Sequence, residues 1–83
     1  MYLLKTEDFN GDRGYINVTT RLYLKKENAR KAMKRSVDKQ KKDNRFAGNN
    51  SEITVDNKDS FVWNEYDFGD YYSAVINLIK FSD

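Results

Sequence analysis

The sequence predicts an α+β fold: an antiparallel sheet of four to five strands with one helix packed on it, in the order β-β-α-β-β-β. Three patterns support this prediction. Apolar and polar residues alternate in residues 15–24, apolar residues recur at helical spacing from residue 26 to about residue 44, and alternation returns in the segments that follow. The chain has 83 residues and a mass of 9.8 kDa, which suits one domain covering residues 1–83.

The N-terminal part is predicted to form a β-hairpin. In residues 15–24 the even positions hold Ile, Val, Thr, Leu and Leu, whereas the odd positions are more polar. This alternation indicates a strand with one buried face. A shorter strand is predicted at residues 2–7, and residues 9–14 (Phe-Asn-Gly-Asp-Arg-Gly) supply the turn between the two strands.

Residues 26 to about 44 are predicted to form an amphipathic helix. Four apolar residues share one helical face at spacings of i, i+3, i+4 and i+8, namely Ala29, Ala32, Met33 and Val37. The remaining positions are rich in good helix formers such as Lys, Glu, Arg and Gln. Gly-Asn-Asn at residues 48–50 ends the helical region, and we expect Phe46 to fold back as a final anchor.

Three further strands are predicted after the helix. Residues 52–56 and residues 60–66 both alternate, with a turn at residues 57–59 between them. After a loop at residues 67–70, residues 71–81 are apolar on both faces, which predicts a central strand or a strand covered by the helix.

The apolar faces of these elements give the candidate core. Each strand contributes alternate residues, and the helix contributes its apolar stripe. The candidates are Leu4, Ile16, Val18, Leu22, Met33, Val37, Ile53, Val55, Phe61, Trp63, Ile76 and Leu78.

The composition argues against most kinds of catalysis. The chain contains no cysteine and no histidine. It therefore lacks a thiolate nucleophile, a disulfide, the commonest general base near neutral pH and the commonest transition-metal ligand. A chain of this length also leaves little room for a deep, dry cavity. We predict a binding protein, not an enzyme, with no cofactor and no bound metal.

No segment predicts export or membrane insertion. The opening apolar run at residues 2–4 ends at Lys5. A signal peptide needs an apolar stretch of about 7–15 residues, and a membrane span needs about 20. We therefore expect a cytoplasmic protein with no membrane partner.

Charge is distributed unevenly along the chain. Residues 25–45 carry ten basic and three acidic residues, a net charge of +7, whereas the rest of the chain has a net charge of −5. The basic stripe of the helix lies opposite its apolar face, where it could bind phosphates or could simply form a solvated, solubilising surface. The candidate nucleic-acid-binding residues are Lys31, Lys34, Arg35, Lys42 and Arg45.

A second charged surface is predicted in residues 64–72, where carboxylates alternate with four aromatic residues. Tyrosine suits protein interfaces because it buries a large area at low entropy cost, and acidic groups can imitate a phosphate backbone in a basic channel. Alternatively, Tyr66, Phe68 and Tyr72 cap the core and the acids solubilise the turn. The candidate partner-binding residues are Glu65, Tyr66, Asp67, Phe68, Asp70 and Tyr71.

Two short motifs match known sites only in part. Asp-Phe-Gly at residues 67–69 spells the metal-binding triplet of protein kinases, but a kinase also needs a glycine-rich loop, a catalytic loop and a much longer chain. Residues 8–12 begin like a calcium loop, but Arg13 occupies the glycine position and Thr19 occupies the position of the final glutamate. We therefore interpret this segment as part of the hairpin turn and not as a calcium site.

A family resemblance is supported by four features of the chain. They are its size, its element order, the strand-to-helix junction at residues 20–29 (Thr-Arg-Leu-Tyr-Leu-Lys-Lys-Glu-Asn-Ala) and the acidic–aromatic residues 67–72. In these features the chain resembles the small anti-defence proteins of phages and mobile elements, including anti-CRISPR proteins. The resemblance covers the whole chain in layout and composition, and it transfers no individual functional residue. It implies a stoichiometric inhibitor of a bacterial defence nuclease complex.

Three functional hypotheses follow. The first is a non-enzymatic inhibitor that binds a larger protein partner, such as a nuclease, through the acidic–aromatic surface. The alternative is a small nucleic-acid-binding or regulatory protein that uses the basic helix at residues 25–45. The third is a homo-oligomer in which the basic helix of one copy contacts the acidic–aromatic residues 64–72 of another. The partner, the oligomeric state and the order of strands in the sheet are left open by the sequence.

Overall fold

The computed structural model describes residues 1–80, which form five strands and one helix. The elements are β1 (Tyr2–Asn10), β2 (Tyr15–Tyr23), α1 (Lys26–Lys42), β3 (Ser51–Asp56), β4 (Ser60–Glu65) and β5 (Tyr71–Leu78). The predicted α+β class and the order β-β-α-β-β-β are confirmed. The last strand ends at Leu78, earlier than predicted, and Phe81 lies outside the described residues.

The sheet order is β2-β1-β5-β4-β3, and every neighbouring pair of strands is antiparallel. The central strand is β5, which pairs with β1 on one side and with β4 on the other. A central strand was one of the two alternatives that its apolar residues on both faces predicted, and Tyr71 and Val75 on its second face are half-buried between the neighbouring strands.

One face of the sheet is covered by α1, and the core lies between them. The helix contributes Ala29, Met33 and Val37, which are at most 6% exposed. The sheet contributes Leu4, Phe61, Trp63, Tyr72, Ala74 and Ile76. Phe46 folds back as predicted, with its ring centroid 5.0 Å from that of Phe61 and 5.3 Å from that of Trp63. Six of the predicted core residues are thereby confirmed: Leu4, Met33, Val37, Phe61, Trp63 and Ile76.

The prediction that the even positions of β2 are buried was wrong. Ile16, Val18 and Leu22 are 50%, 47% and 53% exposed. Their partners on β1 are Phe9, Glu7 and Leu3, respectively, and the face that these residues share points away from α1. We call it the open face of the sheet. Alternation shows that the two faces of a strand differ, but it does not show which of them the helix covers.

Two more predicted core residues lie at the margin of the covered face. Ile53, on the outer strand β3, is 43% exposed, and Leu78, at the end of β5, is 53% exposed. Val55 is half-buried. α1 packs mainly on β1, β5 and β2, so side chains on the outer strand β3 and at the end of β5 remain in contact with water.

α1 has 17 residues, of which ten are Lys, Arg, Glu or Asp. No helix within residues 1–80 is long and apolar enough to cross a membrane.

Candidate functional site

The acidic–aromatic residues lie at the end of the sheet where β4 connects to β5. We call residues 66–70 the β4–β5 loop. The Glu65 carboxylate accepts hydrogen bonds from the backbone N–H groups of Asp67 and Phe68, the latter at 3.0 Å. The Glu65 N–H donates to the Asp70 carbonyl oxygen at 2.8 Å, and Gly69 supplies a left-handed residue with φ of +78°. The loop is therefore ordered largely by its own polar groups.

Two neighbouring segments hold this loop in place. On one side, the Asp70 carboxylate accepts a hydrogen bond from the N–H of Gly11, in the β1–β2 turn, at 2.6 Å. On the other side, the Asn50 side chain donates to the Asp67 carboxylate at 2.9 Å, and the backbone carbonyl oxygen of Asn50 accepts from the Tyr66 N–H at 2.9 Å. The loop is thus fixed between the β1–β2 turn and the start of β3.

Tyr71 and Tyr72, which follow the loop, belong to the sheet. The Tyr71 ring stacks on Phe9 at a centroid distance of 5.4 Å, and its hydroxyl donates to the Glu7 carboxylate at 3.3 Å. Partial burial, and then the charge of Glu7, raise the pKa of Tyr71. Tyr72 is buried in the core, where its hydroxyl hydrogen-bonds to that of Ser36 at 2.5 Å. The core-capping interpretation is therefore correct for Tyr72.

Tyr66 and Phe68 do not cap the core. They are 54% and 64% exposed, and the exposed carboxylate of Asp67 lies between them in sequence. The Tyr66 hydroxyl donates to the Glu52 carboxylate, and this hydrogen bond raises the pKa of Tyr66. The β4–β5 loop therefore presents two aromatic rings and a carboxylate to solvent from a fixed backbone.

The predicted basic residues divide into two groups. Arg45 is half-buried: its Nη2 donates to Asp8 at 2.7 Å and to the Phe9 carbonyl oxygen at 3.2 Å, and its guanidinium lies 5.2 Å from the centre of the Trp63 ring. Lys34 is exposed but pairs with Asp38 at 2.7 Å. Arg45 therefore holds the segment after α1 against the sheet.

The other three basic residues are available to a ligand. Lys31, Arg35 and Lys42 are exposed on α1, and the ion pairs formed within residues 1–80 do not include them. These are the three residues that helical spacing places opposite the apolar face, so the predicted solvent-facing stripe is present in the structure.

A groove of about 360 Å³ between α1 and β2 adds a basic residue that sequence reasoning missed. Arg21 from β2 and Arg35 from α1 both line it, together with the hydroxyl-bearing Thr6, Thr19, Thr20, Tyr23 and Ser36. Among the described residues that line the groove there is no carboxylate. Alternation placed Arg21 on the polar face of its strand, but only the pairing of Arg21 with Leu4 shows that this is the face on which the helix lies.

The segment that resembles a calcium loop belongs to the β1–β2 hairpin, but the turn itself covers residues 11–14, because β1 extends to Asn10, beyond its predicted end at residue 7. Asp8 is occupied by its ion pair with Arg45, and the Asn10 side chain accepts a hydrogen bond from the Arg13 N–H at 3.2 Å. Within residues 1–80, no group of three or more acidic side chains is placed to hold a metal ion.

No protein-family model, curated protein or solved structure matches this chain. The functional argument therefore depends on two surfaces of the molecule, the β4–β5 loop and the basic side of α1.

Proposed function

We propose that the protein is a non-enzymatic inhibitor that binds a larger protein partner, and that the β4–β5 loop is its contact surface. The observation that carries this proposal is the exposure of Tyr66 and Phe68, at 54% and 64%, on a loop whose carboxylates are hydrogen-bonded to the segments on both sides. A partner that covers these two rings would remove a large apolar area from water.

Preorganisation makes such a loop effective in binding. Ordering a loop and its side chains on association costs free energy, and that cost is reduced when the loop is already fixed in the unbound protein. Here hydrogen bonds of Glu65, Asp70 and Asn50 order the loop in the unbound protein. Aromatic residues on a rigid support are also the residues that most often dominate binding energy at protein interfaces.

The charge around the loop indicates the chemistry of the partner. Four carboxylates surround the two rings: Glu52, Glu65, Asp67 and Asp70. A basic surface with a small apolar recess would complement them, because complementary potentials accelerate association and exclude wrong partners. A nucleic-acid-binding channel has this chemistry. Together with the resemblance to phage anti-defence proteins, it supports a bacterial defence nuclease complex as the partner.

The test is a pull-down from a bacterial lysate treated with nuclease, with the bound proteins identified by mass spectrometry. We expect a protein retained in stoichiometric amount by the wild type and lost with a Tyr66→Ala/Phe68→Ala double variant. The control is Leu24→Ala, which removes a side chain that is 80% exposed and lies outside the loop. If the double variant retains the same partner in the same amount, the loop is not the contact surface.

A second candidate function is favoured by the groove between α1 and β2. Arg21 and Arg35 share that groove with several hydroxyl groups and no described carboxylate, which suits the phosphates of a nucleic acid. Fluorescence anisotropy with a labelled oligonucleotide would then show binding that weakens steeply as salt is added. Arg21→Gln/Arg35→Gln should abolish the binding, whereas Arg13→Gln, in the exposed β1–β2 turn, should preserve it. Absence of binding at low salt would remove this candidate.

A further inference from the structure

The two outer strands of the sheet differ in how they are protected. β3 has six residues, its register with β4 shifts between Ile53 and Val55, and it carries carboxylates at Glu52 and Asp56. Short length, an irregular register and charged side chains are the features by which natural sheets prevent an edge from pairing with another chain. The β3 edge has all three.

The β2 edge is long and regular and has little charge. This strand has nine residues in continuous register with β1, eight of them are exposed, and Arg21 is its one charged residue. An outer strand presents backbone N–H and C=O groups that can pair with another strand. A long, regular and nearly uncharged edge is therefore well suited to accept one.

Apolar side chains accompany this edge on the open face. Ile16, Val18 and Leu22 are about half exposed, at 50%, 47% and 53%. Ile16 and Leu22 pair with the apolar Phe9 and Leu3 of β1, whereas Val18 pairs with Glu7, so the apolar surface extends into the sheet at the two ends of the row. A strand added beside β2 would cover the exposed side of this row while pairing the free backbone groups.

We propose that β2 pairs antiparallel with β2 of a second copy of this chain, which joins the two five-stranded sheets into one continuous sheet. The strand is complementary to itself when the two-fold axis passes through Thr19. All nine residues then pair, and the apolar row remains on one face. In this register Ile16 faces Leu22 of the second copy, Tyr15 faces Tyr23, and Arg21 faces Asn17, whose amide oxygen can accept a hydrogen bond from the guanidinium.

Charge and length select this register over its neighbours. Centring the pair on Thr20 would bring the two copies of Arg21 into diagonal proximity, where like charges repel. Centring it on Val18 would leave Leu22 and Tyr23 without strand partners. A two-fold pairing also closes the assembly, because the edges that remain are the two protected β3 strands.

Sedimentation velocity over a wide range of protein concentration tests the proposal. We expect the wild type to sediment as a dimer, at twice the chain mass of 9.8 kDa, and Val18→Lys to sediment at the mass of one chain. The matched control is Ile53→Lys on the other outer strand, which should leave the dimer intact. Circular dichroism would verify that both variants fold. A wild type that remains monomeric at high concentration, or equal effects of the two lysines, would overturn the proposal.

The register of the β2–β2 pair is tested separately with an introduced cysteine. Because the chain has no native cysteine, no other disulfide can form. Thr19→Cys places two sulfurs across the proposed two-fold axis, where directly opposed Cβ atoms are about 4.5–5.5 Å apart. Both cysteine variants would be mildly oxidised and then run on a denaturing, non-reducing gel. We expect Thr19→Cys to run as a disulfide-linked dimer and Thr54→Cys, on β3, to run as a monomer. If only the β3 cysteine forms the linked dimer, the copies meet through the opposite edge and the proposal fails.

Discussion

Arg30 and Asp59 join α1 to the β3–β4 turn through two hydrogen bonds. Arg30 Nε donates to Asp59 Oδ1 at 2.7 Å, and its Nη2 donates to Oδ2 at 3.2 Å. Lys26 Nζ lies 3.3 Å from the same carboxylate. The carbonyl oxygen of Asp59 accepts a hydrogen bond from the N–H of Ile76, in the central strand, at 2.8 Å. Asp59 therefore connects the helix, the turn and the sheet.

The first prediction is that the free energy of unfolding depends on pH in the acid range because of Asp59. The hydrogen bond from Arg30, followed by that from Lys26, lowers the pKa of Asp59 from 3.8 to about 2. Between these two values the unfolded chain binds more protons than the folded chain. The contribution of the ionised Asp59 carboxylate to the free energy of unfolding is therefore fully present above its ordinary pKa of 3.8. It is lost as the pH falls through about 2.

Asp59→Asn should remove that part of the acid dependence. Urea unfolding followed by the fluorescence of Trp63 would give the free energy of unfolding at a series of pH values. We expect the wild type to be more stable than the variant at neutral pH, and the difference to shrink below about pH 4. Asp56→Asn, at an exposed position, serves as the control and should run parallel to the wild type. Parallel curves for Asp59→Asn would contradict the assignment.

The second prediction concerns which apolar residues support the fold. Met33 is 5% exposed and contacts the core, whereas Ile53 is 43% exposed although its alternation predicted burial. Met33→Ala should lower the free energy of unfolding by about 2–5 kcal/mol, because it leaves a cavity. Ile53→Ala should cost about 1 kcal/mol or less, as is usual for exposed positions. Denaturant titrations compare the two, and equal losses would place Ile53 in the core.

The elements were predictable from local patterns, whereas burial was not. β2 begins where predicted and ends one residue early, because its alternation is a property of the strand itself. The burial of its side chains depends on where α1 lies: the helix lies on the side that carries Tyr23, which is half-buried, and Ile16 and Val18 are on the open face. A period-2 pattern contains no information about the position of a helix elsewhere in the chain.

The candidate site could likewise be predicted only in part from the sequence. Sequence composition identified the residues of the β4–β5 loop, but not the different roles of its carboxylates. Asp70 binds Gly11 and Asp67 binds Asn50, and both partners are distant in sequence, so only the folded chain shows that these carboxylates order the loop. Arg45 was grouped with the phosphate-binding candidates by its charge, and its contacts with Asp8 and Trp63 appear only in the tertiary structure.

The third prediction tests the support of the loop by the β1–β2 turn. A Cβ added at Gly11 would lie 1.6 Å from the carbonyl oxygen of Phe68, so Gly11→Ala must displace backbone. We expect a loss of about 1–3 kcal/mol in the free energy of unfolding, as for other overpacked positions. We also expect weaker capture of the protein partner, although Tyr66 and Phe68 are unchanged.

Gly48→Ala is the matched control for this substitution. The nearest atom to a Cβ at Gly48 is the Ser51 Oγ at 3.5 Å, an ordinary contact, so the control should retain both stability and partner capture. Thermal unfolding and the pull-down would be measured on both variants. If Gly11→Ala behaves like Gly48→Ala, the β1–β2 turn does not support the loop.

The last prediction separates a structural basic residue from an exposed one. Arg45→Gln removes the donors to the Asp8 carboxylate and the Phe9 carbonyl oxygen, and it removes the guanidinium that covers Trp63. We expect a loss of about 1–3 kcal/mol in the free energy of unfolding, in the range measured for hydrogen bonds to charged groups. Because Trp63 is the one tryptophan of the chain, its emission should also change in the folded state.

Lys42→Gln provides the comparison, because Lys42 is exposed at the end of the same basic segment. It should leave the free energy of unfolding nearly unchanged, since surface substitutions usually fall within about 0.5 kcal/mol. If the protein binds nucleic acid, Lys42→Gln should reduce the affinity and its dependence on salt, whereas folded Arg45→Gln should bind like the wild type. A stable Arg45→Gln variant with reduced nucleic-acid affinity would contradict the structural role and return Arg45 to the binding surface.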